Sequence, residues 1–270
     1  MNASDVTDAE PATHPPNASS STYPPSWDVA GPEDAPPIVF VHGAMMGRSV
    51  WRPQIDALAD RYRCISVDLP GHGTLEHHRF TLDEAAAAVI RAIDEAAGGR
   101  AVVVGLSLGG YTAMLVAGRQ PERVRGLVIA GSTREPVGAS RLAFQLYGWA
   151  LRLAPQPAVR VIAMAWFRRR YGPLLGAAIV AGGHFARGGG RAVGHLARGR
   201  FKDKLLAYGG PILVINGSMD LVFRIGAGRF LAGVPGVTSR MIPRAGHLSN
   251  VDKPAAFTAL VEEFVATLPA

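Results

Sequence analysis

Val102-Val103-Val104-Gly105-Leu106-Ser107-Leu108-Gly109-Gly110 decides how this chain is read. A valine run leads into Gly-x-Ser-x-Gly, and from Leu108 a segment of helical period continues to Arg119. The pattern predicts a buried strand, a sharp turn carrying the serine, and a helix. A serine on such a turn holds its hydroxyl clear of the backbone, beside a helix start whose first N–H groups lack intrahelical acceptors. The flanking glycines suit positions where a side chain would strike the adjoining strand or helix. In a chain with 32 glycines, Gly-x-Ser-x-Gly alone says little; between a Val-rich strand and a helix it is specific.

The same rhythm extends in both directions. Apolar runs at 38–41, 64–67, 101–104, 124–130, 211–215 and 237–242 alternate with helix-length segments at 50–61, 82–97, 108–119, 221–231 and 254–268. Continuous apolar runs indicate strands buried on both faces, and their alternation with helices predicts an α/β fold: a mostly parallel sheet flanked by helices. Thr81 and Glu84 have the spacing of a capping box at the start of the second helix. The rhythm breaks after Thr133. Long apolar-and-basic stretches and a Gly-rich tract at 182–199 predict a helical insertion over 133–205 into a core of 37–132 and 206–270. Residues 1–36, rich in Pro, Ser, Thr, Ala and Asp, bury too little to offset their ordering entropy and are expected to be mostly disordered, with a short extended piece at 27–30 available to the sheet edge.

Composition narrows the function. At 270 residues and 48% hydrophobic content the chain has ample core, and its single cysteine, Cys64, excludes an internal disulfide or a multi-cysteine zinc site. The first 47 residues hold no Lys or Arg and no signal-length apolar block, so a cytoplasmic protein is expected. The net charge of +7 is uneven: 133–205 holds thirteen basic residues against two acidic ones, leaving fifteen against nineteen elsewhere. With no RNA-recognition signature or basic heptad, nucleic acid is not the expected partner. The basic segment fits a solvated face, an anionic lipid surface or a carboxylate-bearing substrate alike.

A serine hydroxyl becomes a nucleophile only with a base, and the base needs an orienting acid. Asn216-Gly217-Ser218-Met219-Asp220 follows one predicted strand and Ala245-Gly246-His247-Leu248-Ser249-Asn250 another, placing Asp220 and His247 at strand carboxyl ends, where parallel sheets gather their functional groups. Val41-His42-Gly43-Ala44 ends the first buried strand; the amides of Ala44 and Leu108 are the candidate oxyanion donors, with Met45 a weaker one. Asp68 and Glu135 also sit at strand ends and compete with Asp220 as the acid. His42 is expected to shape the oxyanion loop. His72, His77 and His78 are expected to be solvated, His184 and His195 to lie on the surface, and Cys64 to be inert core. Met45, Trp149 and Trp166 are candidate substrate contacts, although Trp149 and Trp166, like Phe144, Met164 and Phe167, serve equally as cap packing.

In the order VHGAMMGRSVW, DLPGHG, GLSLGG, INGSMD and AGHLSN, the chain from about residue 38 onward resembles the α/β-hydrolase superfamily of serine hydrolases. The resemblance implies Ser107 as nucleophile, His247 as general base and then acid, Asp220 as its orienter, and a cap over the pocket. It implies cleavage of a small-molecule ester or lactone without metal or cofactor. The ending GHLSNVDKPAAF is similar to that of 3-oxoadipate enol-lactonases. Carbon–carbon bond hydrolases, thioesterases and acyltransferases share this constellation, and a non-catalytic ligand-binding homologue is the alternative from another class. Neither the leaving group nor the oligomeric state is legible.

Overall fold

A computed structural model describes residues 24–269. Seven strands, β1 (Trp27–Ala30), β2 (Pro37–Val41), β3 (Arg63–Val67), β4 (Ala101–Leu106), β5 (Val124–Ala130), β6 (Ile212–Gly217) and β7 (Val237–Ile242), form one sheet in the order β1-β3-β2-β4-β5-β6-β7. All pairs are parallel except β1–β3, an antiparallel edge that pairs Trp27 with Val67 and Ala30 with Cys64. Order therefore reaches into the segment expected to lack it, through the extended piece at 27–30; the disorder expected for residues 1–23 lies outside the described residues.

Alternate residues of the central strands feed opposite faces. Val39, Val103, Leu127 and Val214 pack with α2 (Leu82–Ala96) and α3 (Leu108–Arg119), while Phe40, Val104, Val128 and Leu213 join a second cluster with α1 (Arg52–Leu58) and, at the chain end, a helix over Pro254–Thr267. Both faces are dry, as the unbroken apolar runs required. β7 is the exception. It is an edge strand whose Thr238, Ser239, Arg240 and Met241 are exposed, so its polar residues face solvent. Thr81 caps α2 by accepting the Glu84 N–H at 3.1 Å. The helix expected over 221–231 splits into Leu221–Arg224 and Ala227–Leu231, with Ile225 extended and Gly226 at φ 89° between them.

Between β5 and β6 lie five helices: α4 (Ala139–Leu153), α5 (Gln156–Tyr171), α6 (Pro173–Ile179), α7 (Ala186–Leu196) and α8 (Phe201–Tyr208). α7 forms within the Gly-rich tract. Its glycines allow backbone-to-backbone contact: a Cβ on Gly188 would lie 1.9 Å from the Gly71 carbonyl oxygen, and one on Gly190 2.5 Å from that of Gly148 on α4.

Candidate functional site

Ser107 joins β4 to α3 at φ 53°, ψ −114°, a conformation that non-glycine residues adopt only where the surroundings over-determine it. Its N–H donates to the Ala130 carbonyl at 2.7 Å, and its own carbonyl accepts from Tyr111 N–H. The turn closes because Gly105 and Gly109 lack side chains: a Cβ on Gly105 would lie 2.3 Å from the Gly109 carbonyl oxygen, and one on Gly109 2.0 Å from that of Val41. Leu108 opens α3, so its N–H has no helical acceptor and is a candidate oxyanion donor.

Asp220, buried after β6, accepts from His247 Nδ1 at 2.8 Å. The carboxylate's other oxygen takes the Phe223 N–H at 3.4 Å, capping the short helix that follows. The Phe223 ring stacks on the imidazole with centroids 4.9 Å apart and planes at 21°. Held by an acceptor at Nδ1, the neutral tautomer carries its proton there and leaves Nε2 as a candidate acceptor. His247 is packed over the end of β5, where a Cβ on Gly131 would fall 2.9 Å from the ring. Gly131 follows Ala130, the acceptor for Ser107 N–H, so serine and imidazole converge on one strand end. Ser107 Oγ and His247 Nε2 are not joined by a hydrogen bond; such links commonly tighten only with substrate bound.

The loop after β2 lies beside this pair, with Gly43 at a distance that would put a Cβ 3.6 Å from Ser107 Cβ. Two buried imidazoles hold the loop. His42 Nδ1–H donates to the Gly43 carbonyl at 2.8 Å while its Nε2 accepts the Leu69 N–H at 3.0 Å. His72 donates from Nδ1 to the Pro70 carbonyl at 3.0 Å and accepts the Met45 N–H at Nε2 (3.3 Å). Met45 N–H is thereby engaged, leaving Ala44 and Leu108 as the candidate donors toward an oxyanion. Burial holds the His42 pKa below its ordinary value and takes that of His72 down to about 3. His72 is thus fully buried, not solvated as expected, because the DLPGHG loop folds it inward between His42, Phe80 and Phe185.

The competing acids have other work. Asp68 accepts Arg48 N–H at 2.8 Å and Thr74 N–H at 2.9 Å and pairs with the Arg48 guanidinium, clamping the 42–48 loop to the 70–75 turn. Glu135 caps α8 through the N–H groups of Phe201 (2.8 Å) and Lys202 (3.0 Å). Cys64 is fully buried, its thiol pushed up to about 12 by desolvation. His184 and His195 are half-buried rather than on the surface, because α7 and the turn before it pack into the fold.

Trp149 and Trp166, expected beside the pocket, are 55% and 50% exposed. The inward face of α4 is set by Gly148, pressed on α7, and Trp149 one residue later is turned about 100° away. Trp166 lies edge-on to Phe167 at 5.0 Å, and it is Phe167 that is buried. Met45, at φ 67°, is half-buried beneath α7, where a Cβ on Gly189 would meet its side chain at 2.5 Å.

The family model described as the alpha/beta hydrolase family matches residues 38–260, from β2 into the last helix. The chain belongs to that family. Among similar proteins, 3-oxoadipate enol-lactonase 1 of Acinetobacter baylyi is 28% identical over 90% of this chain and 93% of its own length. An uncharacterised carboxylesterase of Bacillus subtilis is 27% identical over 87% and 81%. The crystal structure of the enol-lactonase from Burkholderia xenovorans LB400 superposes with a TM-score of 0.76 at 24% identity, covering 89% of this chain and 95% of that one.

The matched span includes Ser107, Asp220 and His247. Three further residues hold the candidate site that the motifs did not bring out. Phe223 backs the imidazole and His72 fixes Met45. Asp252 accepts Gly246 N–H at 2.7 Å beside His247 while its other oxygen takes Tyr171 Oη and Arg170 Nη2, both at 3.0 Å, from α5. The carboxylates of DLPGHG and LSNVDKP, each within reach of a strand end, are the sequence signal for such clamps.

Proposed function

We propose that this α/β-hydrolase-family chain cleaves carboxylic esters or lactones through a Ser107–His247–Asp220 triad and an acyl-enzyme. The observation carrying the reading is the 2.8 Å bond from the His247 imidazole to buried Asp220, set over the strand end that also accepts the strained Ser107 backbone. Ester and lactone chemistry is favoured because relatives that this chain matches along most of its length are named for it.

In this mechanism Ser107 Oγ attacks the acyl carbon as its proton passes to His247 Nε2, and the oxyanion meets the Ala44 and Leu108 amides. Collapse breaks the acyl C–O bond, with His247 returning the proton to the departing oxygen. For a lactone the departing oxygen stays tethered to the acyl group. Water, deprotonated by His247, then attacks the acyl-serine; the bond from the acyl carbon to Ser107 Oγ breaks, His247 returns the proton to Oγ, and the acid leaves. Asp220 accepts from Nδ1 throughout and holds the tautomer.

A fluorophosphonate probe tests the activated serine. Wild-type protein is expected to label and Ser107→Ala not to; absence of labelling on folded wild type overturns the triad. p-Nitrophenyl esters of graded chain length, enol-lactones and acyl thioesters then rank the leaving groups.

A further inference from the structure

Helix α4 keeps one face inward, with Phe144 and Leu151 half-buried and Gly148 buried. The opposite face carries Leu142, Leu146, Trp149 and Leu153, each more than half exposed. Their spacing of four, three and four residues aligns them in one stripe roughly 17 Å long. Ile162 and Trp166 on α5 repeat the arrangement, at 68% and 50% exposure. Single exposed apolar side chains are ordinary; a continuous leucine–tryptophan stripe marks a surface that is covered in use.

The charge carried by this segment is of one sign. Residues 139–196 include eight arginines and no Asp or Glu. Among the described residues Arg170 pairs with Asp252, and the other seven have no carboxylate within 4 Å. Arg141 and Arg152, both exposed, border the α4 stripe along one side, and exposed Arg169 continues the line of Ile162 and Trp166.

We infer that the outer face of α4 docks on an anionic lipid surface. Leucine and tryptophan enter the boundary between headgroups and acyl chains, and the arginines reach lipid phosphates while their stems lie along the apolar zone. A second copy of the chain is disfavoured as the cover. A two-fold contact would set the unpaired arginines against their own equivalents, with no carboxylate on that face to answer them. Lipid supplies both the apolar depth and the negative charge.

The test is co-sedimentation of the full chain with extruded vesicles of phosphatidylcholine alone, and with about 30% phosphatidylglycerol added. Binding to the anionic vesicles is expected to be about tenfold or more stronger, to fall about tenfold as salt is raised to about 0.5 M, and to shift tryptophan emission to the blue. A Leu142→Ser/Leu146→Ser/Leu153→Ser variant is expected to lose binding while circular dichroism and monodispersity hold, since those side chains face solvent. Arg141→Ser/Arg152→Ser is expected to narrow the difference between the two vesicle types. Folded wild-type protein that ignores anionic vesicles, or binds both types equally, overturns the inference. So does a dimer in sedimentation velocity that the triple-serine variant dissolves while vesicles stay unbound, which assigns the face to a second copy. The readout involves no hydrolysis, so it fails or succeeds independently of the Ser107 chemistry.

Discussion

Replacing His72 with Gln removes one proton-binding site that the folded chain keeps empty and the unfolded chain fills. In the unfolded chain this imidazole titrates near 6.5; in the fold, burial chiefly, with His42 and His184 adding positive potential and the Pro70 carbonyl opposing them, holds it at about 3. A depressed pKa contributes stability that is fully present above 6.5 and lost as pH falls from there toward 3, because only the unfolded state then takes the proton. At about 1.4 kcal/mol per unit, lowering the pH from about 8 to about 5 costs on the order of 2 kcal/mol through His72 alone. The assay is urea unfolding of wild type and His72→Gln at both pH values. Gln keeps an acceptor for Met45 N–H, although it cannot span to Pro70 as the ring does, so the variant starts from lower stability. The informative quantity is the difference between the two pH values, expected to shrink by about 2 kcal/mol. A variant that loses as much on acidification as wild type refutes the reasoning. Should His72→Gln fail to fold, the wild-type His72 ring is expected to read as neutral by NMR at pH about 5, and a protonated ring there refutes it equally.

Three further outcomes follow from the geometry. Asp220→Asn keeps an acceptor for Phe223 N–H but offers the imidazole a group that favours the wrong tautomer; kcat on whichever ester proves active is expected to fall by about 10³–10⁴ with the thermal midpoint nearly unchanged. Gly109→Ala puts a Cβ 2.0 Å from the Val41 carbonyl oxygen, a backbone atom that cannot swing aside, and is expected to cost about 3 kcal/mol or more in denaturant unfolding. Thr81→Ala deletes the 3.1 Å cap on α2 and is expected to cost about 1 kcal/mol, seen as a drop of about 2–4 °C in Tm, without changing turnover.

The sheet was legible because its strands are buried on both faces and therefore written as unbroken Val/Ile/Leu runs, and the α3 bounds fell where the sequence put them because Ser107 and Arg119 bracket a single apolar helix. β7 was legible in position but not in burial: at the sheet edge Thr238 to Met241, which alternate between the two faces, all meet water, and only Ile242 is buried. The placement of Ser107, Asp220 and His247 after strand ends was legible because each stands in a short Gly-containing string. The clamps were not. Whether His72 is solvated or buried depends on which way a Pro-Gly-His-Gly loop folds, and only the fit between His42, Phe80 and Phe185 decides it. Trp149 and Trp166 misled for a related reason. Aromatic content on a cap helix predicts an apolar face, and which face points inward is set by the glycine that lets the neighbouring helix approach.

These observations together tie the cap to the loop that offers the Ala44 amide. Met45 donates its N–H to His72 and accepts Phe185 N–H at its carbonyl (2.8 Å), so one residue next to the candidate oxyanion donor is held from the core on one side and from the start of α7 on the other. Gly189 brings the α7 backbone onto Met45, and a larger residue there would push either the helix or the loop. Asp252 makes a matching connection from α5 to the loop of His247. Displacement of the cap therefore pulls on the loops of Met45 and Gly246. An enzyme of this family whose cap met a lipid surface would feel that contact at Met45 and Gly246, one residue from a candidate oxyanion amide and one from the proposed base His247.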